Sequence, residues 1–187
     1  MRLFLASESP RRRELLARLG FAFEVENSRA EELSTAADPR LVPLLNAERK
    51  AAAVAARHPD ALVLGADTVI LHRGRIIGKP RDPADAAAIL HALSGDRHEV
   101  ITGLALLCEE KQLREVWEET TTVQFRPLSD ETISRYLSRV NVLDKAGAYA
   151  IQEYGDELVE HLDGEFENVI GLPLRRLSDR LPALLNG

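Results

Sequence analysis

One carboxylate interrupts the most apolar stretch of this chain. Asp67 lies inside Ala61–Leu71, whose nearly continuous hydrophobic residues are typical of a strand that is covered on both faces. A carboxylate in such a strand is unfavourable unless it is paired, bound to a metal or placed at the open end of the strand. Asp67 is therefore the strongest single candidate for a functional residue. The alternative is a structural carboxylate that caps a loop or pairs with an arginine.

The segment Ser7–Arg13, which reads Ser-Glu-Ser-Pro-Arg-Arg-Arg, is a second candidate. It lies between the apolar run Leu3–Ala6 and leucines at helical spacing, so it predicts a turn from a strand into a helix. Ser9 is a suitable N-cap and Pro10 a suitable first helical residue. Each cation in a first helical turn is disfavoured by roughly 0.3–1 kcal/mol, and a bound anion would compensate. The alternative is that the long arginine side chains extend into water.

Three further charged residues extend this set. Glu32, in an acidic stretch predicted to be a loop, is either a solvated charge or part of a cation-binding pair. Lys50 lies at the margin of the apolar stripe of a predicted helix, and the spacing alone favours a surface position over one above a cleft. Lys79 lies on a loop between a strand and a helix, where a cation can reach a ligand.

The chemistry that these residues suit is that of phosphate esters or anhydrides. Carboxylate oxygens such as those of Asp67 and Glu32 suit Mg²⁺ or Mn²⁺, and the cations suit a polyphosphate. The sequence has no G-x-x-x-x-G-K-[ST] loop, no G-x-G-x-x-G, no H-E-x-x-H pair and no G-x-S-x-G elbow. The usual support for an ATPase, a dinucleotide enzyme, a zinc protease or an α/β-hydrolase is therefore missing.

Hydrophobic spacing, caps and turns predict the elements that must position these residues. Strands are predicted at 21–25, 61–71, 76–80, 99–109 and 116–125. Helices are predicted from Pro10 towards Gly20, from Asp38 or Pro43 to about 57, from Pro83 to Gly95, after Ser129, and beyond Gly171. Without repeats or long linkers, this pattern indicates an α/β (mixed α+β) fold with a mixed sheet, as a single domain over 1–187.

The composition disfavours several classes of protein. The formal net charge of -6 argues against a general nucleic-acid or membrane-surface protein, whereas residues 1–20 are locally basic and suggest a small anionic ligand. Cys108 is the only cysteine, so an intrachain disulfide cannot form, and its apolar neighbours predict a core position. No apolar run reaches the roughly 18 residues of a membrane span, and a signal peptide is not evident, so we expect a cytoplasmic protein.

Eight segments in order resemble the Maf family of nucleoside triphosphate pyrophosphatases, and together they span nearly the whole chain. They are Leu5–Arg12, Gly65–Val69, Gly78–Pro80, Leu93–Gly95, His98, Thr102–Gly103, Asp144–Tyr149 and Asn168–Leu174. The resemblance implies a fold like that of the inosine triphosphate pyrophosphatases: an elongated, bent mixed sheet flanked by helices, with a nucleotide cleft between two lobes, often as a homodimer. It also implies hydrolysis between the α- and β-phosphates with a divalent cation, Mg²⁺ or Mn²⁺, as cofactor.

The resemblance also implies roles for particular residues. Asp67 would accept the proton of the attacking water and would bind the metal together with Glu32. The triphosphate would be held by Ser9, Arg12, Lys50 and Lys79. Members that resemble dTTP and UTP hydrolases have an arginine, a threonine and a glutamine where this chain has Arg11, Thr68 and Gln152. Members that act on 7-methyl-GTP typically have a bulky aromatic residue, a glutamine and a glutamate there.

Two other functions stay open at this stage. One is a nucleotide-binding regulator of cell division that acts through a protein partner. A pure sensor has no need of Asp67 beside a metal, so the charged set favours catalysis. The other is the same hydrolysis directed at modified nucleotides, which the sequence does not separate from hydrolysis of dTTP and UTP.

Overall fold

In residues 1–186, which the computed structural model describes, seven strands form one mixed sheet flanked by seven α-helices. The strands are β1 (Leu3–Leu5), β2 (Glu24–Val25), β3 (Leu62–His72), β4 (Arg75–Ile77), β5 (Arg97–Cys108), β6 (Leu113–Phe125) and β7 (Val159–Asp163). The helices are α1 (Pro10–Ala17), α2 (Leu41–Ala55), α3 (Pro83–Leu93), α4 (Asp130–Arg139), α5 (Gly155–Leu158), α6 (Phe166–Ile170) and α7 (Arg175–Asn186). The strand order is β2-β1-β3-β5-β6-β7, with β4 beside β3. The pairs of β1 with β2 and β3 are parallel and the others antiparallel, so the predicted fold class is confirmed.

Most predicted elements lie where the sequence placed them. The apolar run becomes β3, the predicted antiparallel pair becomes β5 and β6, and the side chains of Asp82 and Ser129 cap α3 and α4. The strand predicted at 21–25 was too long, because β1 has only three residues and pairs with just Glu24 and Val25. Cys108 is buried, as expected. None of the helices in residues 1–186 combines the length and the hydrophobicity that a membrane crossing requires.

The two faces of the sheet carry different clusters, because alternate strand residues point to opposite faces. On one face, Ala47 and Ala51 of α2 pack against Val63 of β3. On the other face, the first lobe is a hydrophobic cluster that includes Leu64 and side chains of α1 and α7. The second lobe is a cluster that includes Ile70 and side chains of α3 and α4. The sheet therefore carries two lobes on one face and a single long helix on the other.

One edge of β3 is only partly covered. Residues 62–64 pair with β1 on this edge and residues 70–72 pair with β4, whereas β5 pairs with the opposite edge along residues 63–71. In the part of the chain that the structure describes, no strand pairs with residues 65–69 on this edge. The bare stretch includes Asp67, so side chains from both faces of the sheet can reach the same opening.

Helix α2 lies in close contact with the sheet at two glycines. A Cβ atom on Gly65 would lie 2.1 Å from the carbonyl oxygen of Ala47, and one on Gly103 would lie 2.3 Å from the carbonyl carbon and oxygen of Pro43. Pro43 lies in the first turn of α2, where its missing N–H has no intrahelical partner to lose, so it neither starts nor kinks the helix. The glycines therefore set the distance between α2 and the strands.

We predict that Gly103→Ala lowers the free energy of unfolding by about 1–3 kcal/mol or more, because the new methyl group meets backbone atoms that cannot rotate away. Urea denaturation followed by circular dichroism measures this change. Gly78→Ala is the matched control, because a Cβ atom there would have no neighbour within 4 Å. Equal stabilities of the two variants would contradict the close contact.

Candidate active site

A cleft opens at the bare edge of β3, between the two lobes. It is lined by all nine residues that the sequence singled out: Ser9, Arg11, Arg12, Glu32, Lys50, Asp67, Thr68, Lys79 and Gln152. They come from the turn before α1, the first turn of α1, the loop before α2, α2 itself, β3 and two further loops. The structure therefore brings the whole predicted set together, while the role of each residue stays a prediction.

Asp67 is held by a separate donor on each of its carboxylate oxygens. Its Oδ1 accepts a hydrogen bond from Lys50 Nζ at 2.8 Å, and its Oδ2 accepts one from Asn46 Nδ2 at 3.0 Å. Both donors come from α2, one helical turn apart, so they lie on the same face of the helix. The carboxylate is thus paired, with a lysine that lines the cleft and not with the arginine of the structural alternative.

The surface position that spacing alone favoured for Lys50 was wrong. Only 9% of its side chain is exposed, because α2 lies so near β3 that a residue at this margin reaches a carboxylate before it reaches water. Its Nζ also lies 2.6 Å from Oε1 of Glu32, and this hydrogen bond lowers the pKa of the Glu32 carboxyl below its ordinary value. A buried ion pair contributes little net stability, so its presence in a cleft suggests a functional reason.

The carboxylates of Asp67 and Glu32 converge on one cation, Lys50 Nζ. Among the described residues, no group of three or more histidines, cysteines or carboxylates is close enough together to hold a metal by itself. Mg²⁺ commonly uses one or two carboxylates and completes its shell with water and substrate phosphates. The donor set therefore fits a metal that is shared with a bound phosphate. The cofactor itself stays a prediction.

Arg12 links α1 to β3 and to the loop before α7. Its Nε donates to the carbonyl oxygen of Gly171 at 2.9 Å. One terminal nitrogen donates to Thr68 Oγ1 at 3.1 Å, and the other donates to Ser7 Oγ at 3.4 Å. Burial lowers the pKa of Arg12, whereas the charges of Asp67 and Glu32 raise it. These contacts use three of the five guanidinium N–H groups, so two can bind a ligand in the cleft.

The three arginines of this segment have different surroundings. Arg11 lines the cleft, where its guanidinium lies 3.7 Å from Asp144, whereas Arg13 is exposed and extends into water. Ser9 is the N-cap of α1, as predicted, since its hydroxyl accepts a hydrogen bond from the backbone N–H of Arg12 at 3.4 Å. The helix terminus and two cations therefore face the same opening.

A row of polar groups, which we call the polar seam, lies beneath Arg12 and consists of the half-buried Thr68 and the buried Thr102, Asn168 and Thr121. The hydroxyls of Thr68 and Thr102 are 3.0 Å apart, and Thr102 donates to the carbonyl oxygen of Asn168 at 3.5 Å. Asn168 Nδ2 donates to Thr121 Oγ1 at 3.0 Å. Sequence reasoning gave Thr102, Asn168 and Thr121 no role, because their partners come from distant strands and loops.

Gln152 lies at the exposed rim of the cleft, just beyond two anchored residues. Ala150 is held through its backbone, because the hydroxyl of Tyr136 accepts from its N–H at 2.9 Å and donates to its carbonyl at 3.3 Å. Burial raises the pKa of Tyr136 to about 12, so this hydroxyl keeps its proton at neutral pH. Tyr149 is held by His98, whose Nε2 lies 2.8 Å from the tyrosine hydroxyl. The second lobe therefore fixes the chain up to two residues before Gln152.

The charges that face the cleft favour an anionic ligand. Five cationic side chains and three carboxylates line it, although the chain as a whole carries a net charge of -6. The cations are Arg11, Arg12, Lys50, Lys79 and Lys145, and the carboxylates are Glu32, Asp67 and Asp144. A net positive cleft in an acidic protein attracts a small polyanion while the rest of the surface repels large ones.

Comparison with known sequences identifies the family. The sequence pattern of the family described as Maf-like protein matches residues 2–184. This chain belongs to the Maf family. A relative from Gloeobacter violaceus, named dTTP/UTP pyrophosphatase, is 48% identical over 182 residues, which cover 97% of this chain and 95% of the relative. A relative of the same name from Bacillus cytotoxicus is 42% identical over 187 residues, which cover 100% of this chain and 97% of the relative. The single-domain boundary at 1–187 stays a prediction, and Gly187 lies outside the described residues.

The fold of this Maf protein also matches a solved structure. The Ham1 protein of Staphylococcus aureus aligns with a TM-score of 0.56 over 98% of this chain and 100% of that chain, at 15% sequence identity. At this identity the likeness shows the fold alone. It confirms the architecture that the sequence predicted, a mixed sheet of the inosine triphosphate pyrophosphatase type.

We predict that the buried His98 makes this Maf protein less stable in acid. Burial lowers the pKa of His98 to about 4, whereas an unfolded histidine titrates near 6.5. Between these values the unfolded state binds the proton and the folded state does not, so stability falls as the pH falls from 6.5 towards 4. The contribution is about 2 kcal/mol between pH 7.5 and pH 5.

Urea denaturation of the wild type and of His98→Gln at pH 7.5 and pH 5 measures this contribution. The wild type should lose about 2 kcal/mol more than the variant over this interval. His161→Gln, which changes an exposed histidine, should keep the wild-type pH dependence. Parallel pH dependences of the wild type and His98→Gln would contradict the prediction.

Proposed function

We propose that this protein is a hydrolase that cleaves dTTP and UTP between the α- and β-phosphates, releasing the nucleoside monophosphate and pyrophosphate. The observation that carries the proposal is the position of Asp67, whose paired carboxylate lines a cation-rich cleft. The names of the two relatives support it, because both match over nearly their full length. The same cleft contains the three residues expected in the dTTP and UTP branch: Arg11, Thr68 and Gln152.

We assign the role of general base to Asp67. A water molecule between its carboxylate and the α-phosphorus gives a proton to the carboxylate while the water oxygen bonds to phosphorus. The bond from the α-phosphorus to the bridging oxygen breaks, and pyrophosphate leaves with that oxygen. The two donors from α2 hold the carboxylate in one orientation, so Asp67 is already oriented before the substrate binds.

The cations of the cleft neutralise the substrate. A triphosphate carries about four negative charges, and both the attacked phosphorus and the departing pyrophosphate need charge neutralisation. We assign this task to Arg12, Lys50 and Lys79, with Ser9 as a phosphate ligand at the N-terminus of α1. Asp67 and Glu32 would hold Mg²⁺ or Mn²⁺, which would add charge neutralisation at the phosphate oxygens.

Gln152 is the residue that we assign to base recognition. Thymine and uracil present an N3–H donor flanked by two carbonyl acceptors, and a glutamine amide carries both an acceptor and a donor. One amide can therefore pair with N3–H and a neighbouring carbonyl together, and a wrong base leaves these groups unpaired. Modified pyrimidines that keep this edge would be accepted too, so their clearance belongs to the same proposal. The homodimer and the cytoplasmic location stay predictions.

Pyrophosphate release from a panel of nucleoside triphosphates, each with Mg²⁺, with Mn²⁺ and with a chelator, tests the function. We expect metal-dependent release that is fastest with dTTP and UTP. A peak on purines or 7-methyl-GTP would keep the reaction and refute the base assignment. Binding of nucleotides without release from any of them would refute the hydrolase and favour a nucleotide-binding regulator that acts through a protein partner.

We predict that Asp67→Asn lowers kcat by about 10²–10⁴-fold, because an amide cannot accept the proton of the attacking water. Circular dichroism should show an intact fold, since asparagine has the same shape and Lys50 keeps Glu32 as a partner. Asp60→Asn, at an exposed position, is the control and should leave kcat unchanged. An Asp67→Asn enzyme with full activity would end the assignment of Asp67.

We predict that Gln152→Glu lowers kcat/KM for dTTP and UTP by about 10-fold or more, because the carboxylate loses the donor and repels a carbonyl of the base. Stability should change little, since Gln152 is exposed. Separate measurements of kcat/KM and of the thermal midpoint distinguish a loss of base recognition from a loss of stability. Gln112→Glu, in the exposed turn between β5 and β6, should alter neither quantity, and unchanged kinetics of Gln152→Glu would remove Gln152 from the base pocket.

A further inference from the structure

Asn46 is a buried polar residue on the apolar face of α2. The helix buries eight residues against the rest of the protein, and among them only Asn46 and Lys50 are polar. Just 2% of Asn46 is exposed. A buried amide is unfavourable unless its donors and acceptor all find partners, so the partners of Asn46 indicate why it is there.

The side-chain amide of Asn46 makes three hydrogen bonds. Its Oδ1 accepts from the backbone N–H of Leu33 at 2.7 Å, and its Nδ2 donates to the carbonyl oxygen of Leu33 at 3.0 Å and to Asp67 Oδ2 at 3.0 Å. Exchanging the amide oxygen and nitrogen would place like groups against each other in all three contacts. The orientation of the amide is therefore fixed by the network itself.

These bonds connect two parts of the site that the sequence separates. Leu33 follows Glu32 in the loop before α2, whereas Asp67 lies on β3. By holding both backbone groups of Leu33, Asn46 places the Glu32 carboxylate where it meets Lys50 Nζ at 2.6 Å. By donating to Asp67, the same amide leaves the other oxygen of that carboxylate to Lys50.

We propose that Asn46 is a positioning residue of the reaction, which sets the orientation of Asp67 and its distance from Glu32. This inference rests on the proposed function, because it concerns the base of that reaction. A residue with a merely structural role would need only the two bonds to Leu33. The bond to Asp67 is the contact that makes Asn46 part of the catalytic arrangement.

The test compares kcat with substrate affinity in Asn46→Leu, which is uncharged, has the same branching at Cγ and is unable to make any of the three bonds. We expect kcat for dTTP to fall on the order of 10²-fold, because a small misplacement of the reacting group costs about that much. The Kd for a non-hydrolysable α,β-methylene analogue of dTTP, measured by calorimetry with Mg²⁺, should change less than threefold. The cations that bind the phosphates are still present in this variant.

Asn46→Asp is the second variant, for use if the leucine variant fails to fold. It keeps an acceptor for the Leu33 N–H but loses both donors, so kcat should again fall on the order of 10²-fold. Asn27→Asp is its matched control, because Asn27 is exposed in the loop that contains Leu33 and its Oδ1 only accepts from the backbone of Arg29. The control should keep the wild-type kcat.

The outcomes separate this inference from the proposed function. An active wild type with folded Asn46 variants whose kcat stays within threefold would overturn the positioning role alone. The same holds for a kcat that falls only in proportion to the folded fraction. A wild type that releases no pyrophosphate from any nucleotide would overturn the proposed function, and the role of Asn46 in it would fall as well.

Discussion

The close contact between α2 and the sheet is the constraint on which the rest of the site depends. Gly103 is the cross-strand partner of Asp67, and Gly65 lies two residues before it on the same face of β3. The helix backbone occupies the space that side chains at these positions would fill. Because interiors are densely packed, a methyl group there would push the helix outward. Lys50 would then lose its contact with Asp67. The ion pair therefore depends on having glycine at positions 65 and 103.

The polar seam is the second constraint, because it lies between the hydrophobic clusters of the two lobes. A guanidinium and a row of hydroxyls that lie largely out of water are unfavourable unless they find hydrogen-bond partners. Arg12 finds partners for three of its N–H groups in Thr68 on β3, in Gly171 on the loop before α7 and in Ser7. Thr68 therefore shapes the cleft through Arg12 as well as through any direct contact with a nucleotide. Part of the boundary between the lobes is therefore a line of directed hydrogen bonds.

Much of this arrangement could be predicted from the sequence, since its signals are local. A carboxylate in an apolar strand identified Asp67, and a serine before proline identified the N-cap at Ser9. The positions of Lys50 and Asn46 could not be predicted in this way. A polar residue on a helix looks the same whether its partner is water or a carboxylate, and the partner here lies on a strand 17 or 21 residues further along the chain. The close approach that selects the carboxylate is a property of the packed sheet.

The site divides into two parts with different supports. The carboxylates and Lys50 are held by α2 on one face of the sheet, whereas the chain leading to Gln152 is held by Tyr136 and His98 in the second lobe. No hydrogen bond among the described residues links the side chain of Gln152 to that of Asp67. Under the proposed roles, a substitution at the rim would therefore alter which nucleobase is bound, while the Asp67 carboxylate would keep its orientation. Substitutions under α2 would act in the opposite way, since they would move Asp67 and Lys50 and leave the rim in place.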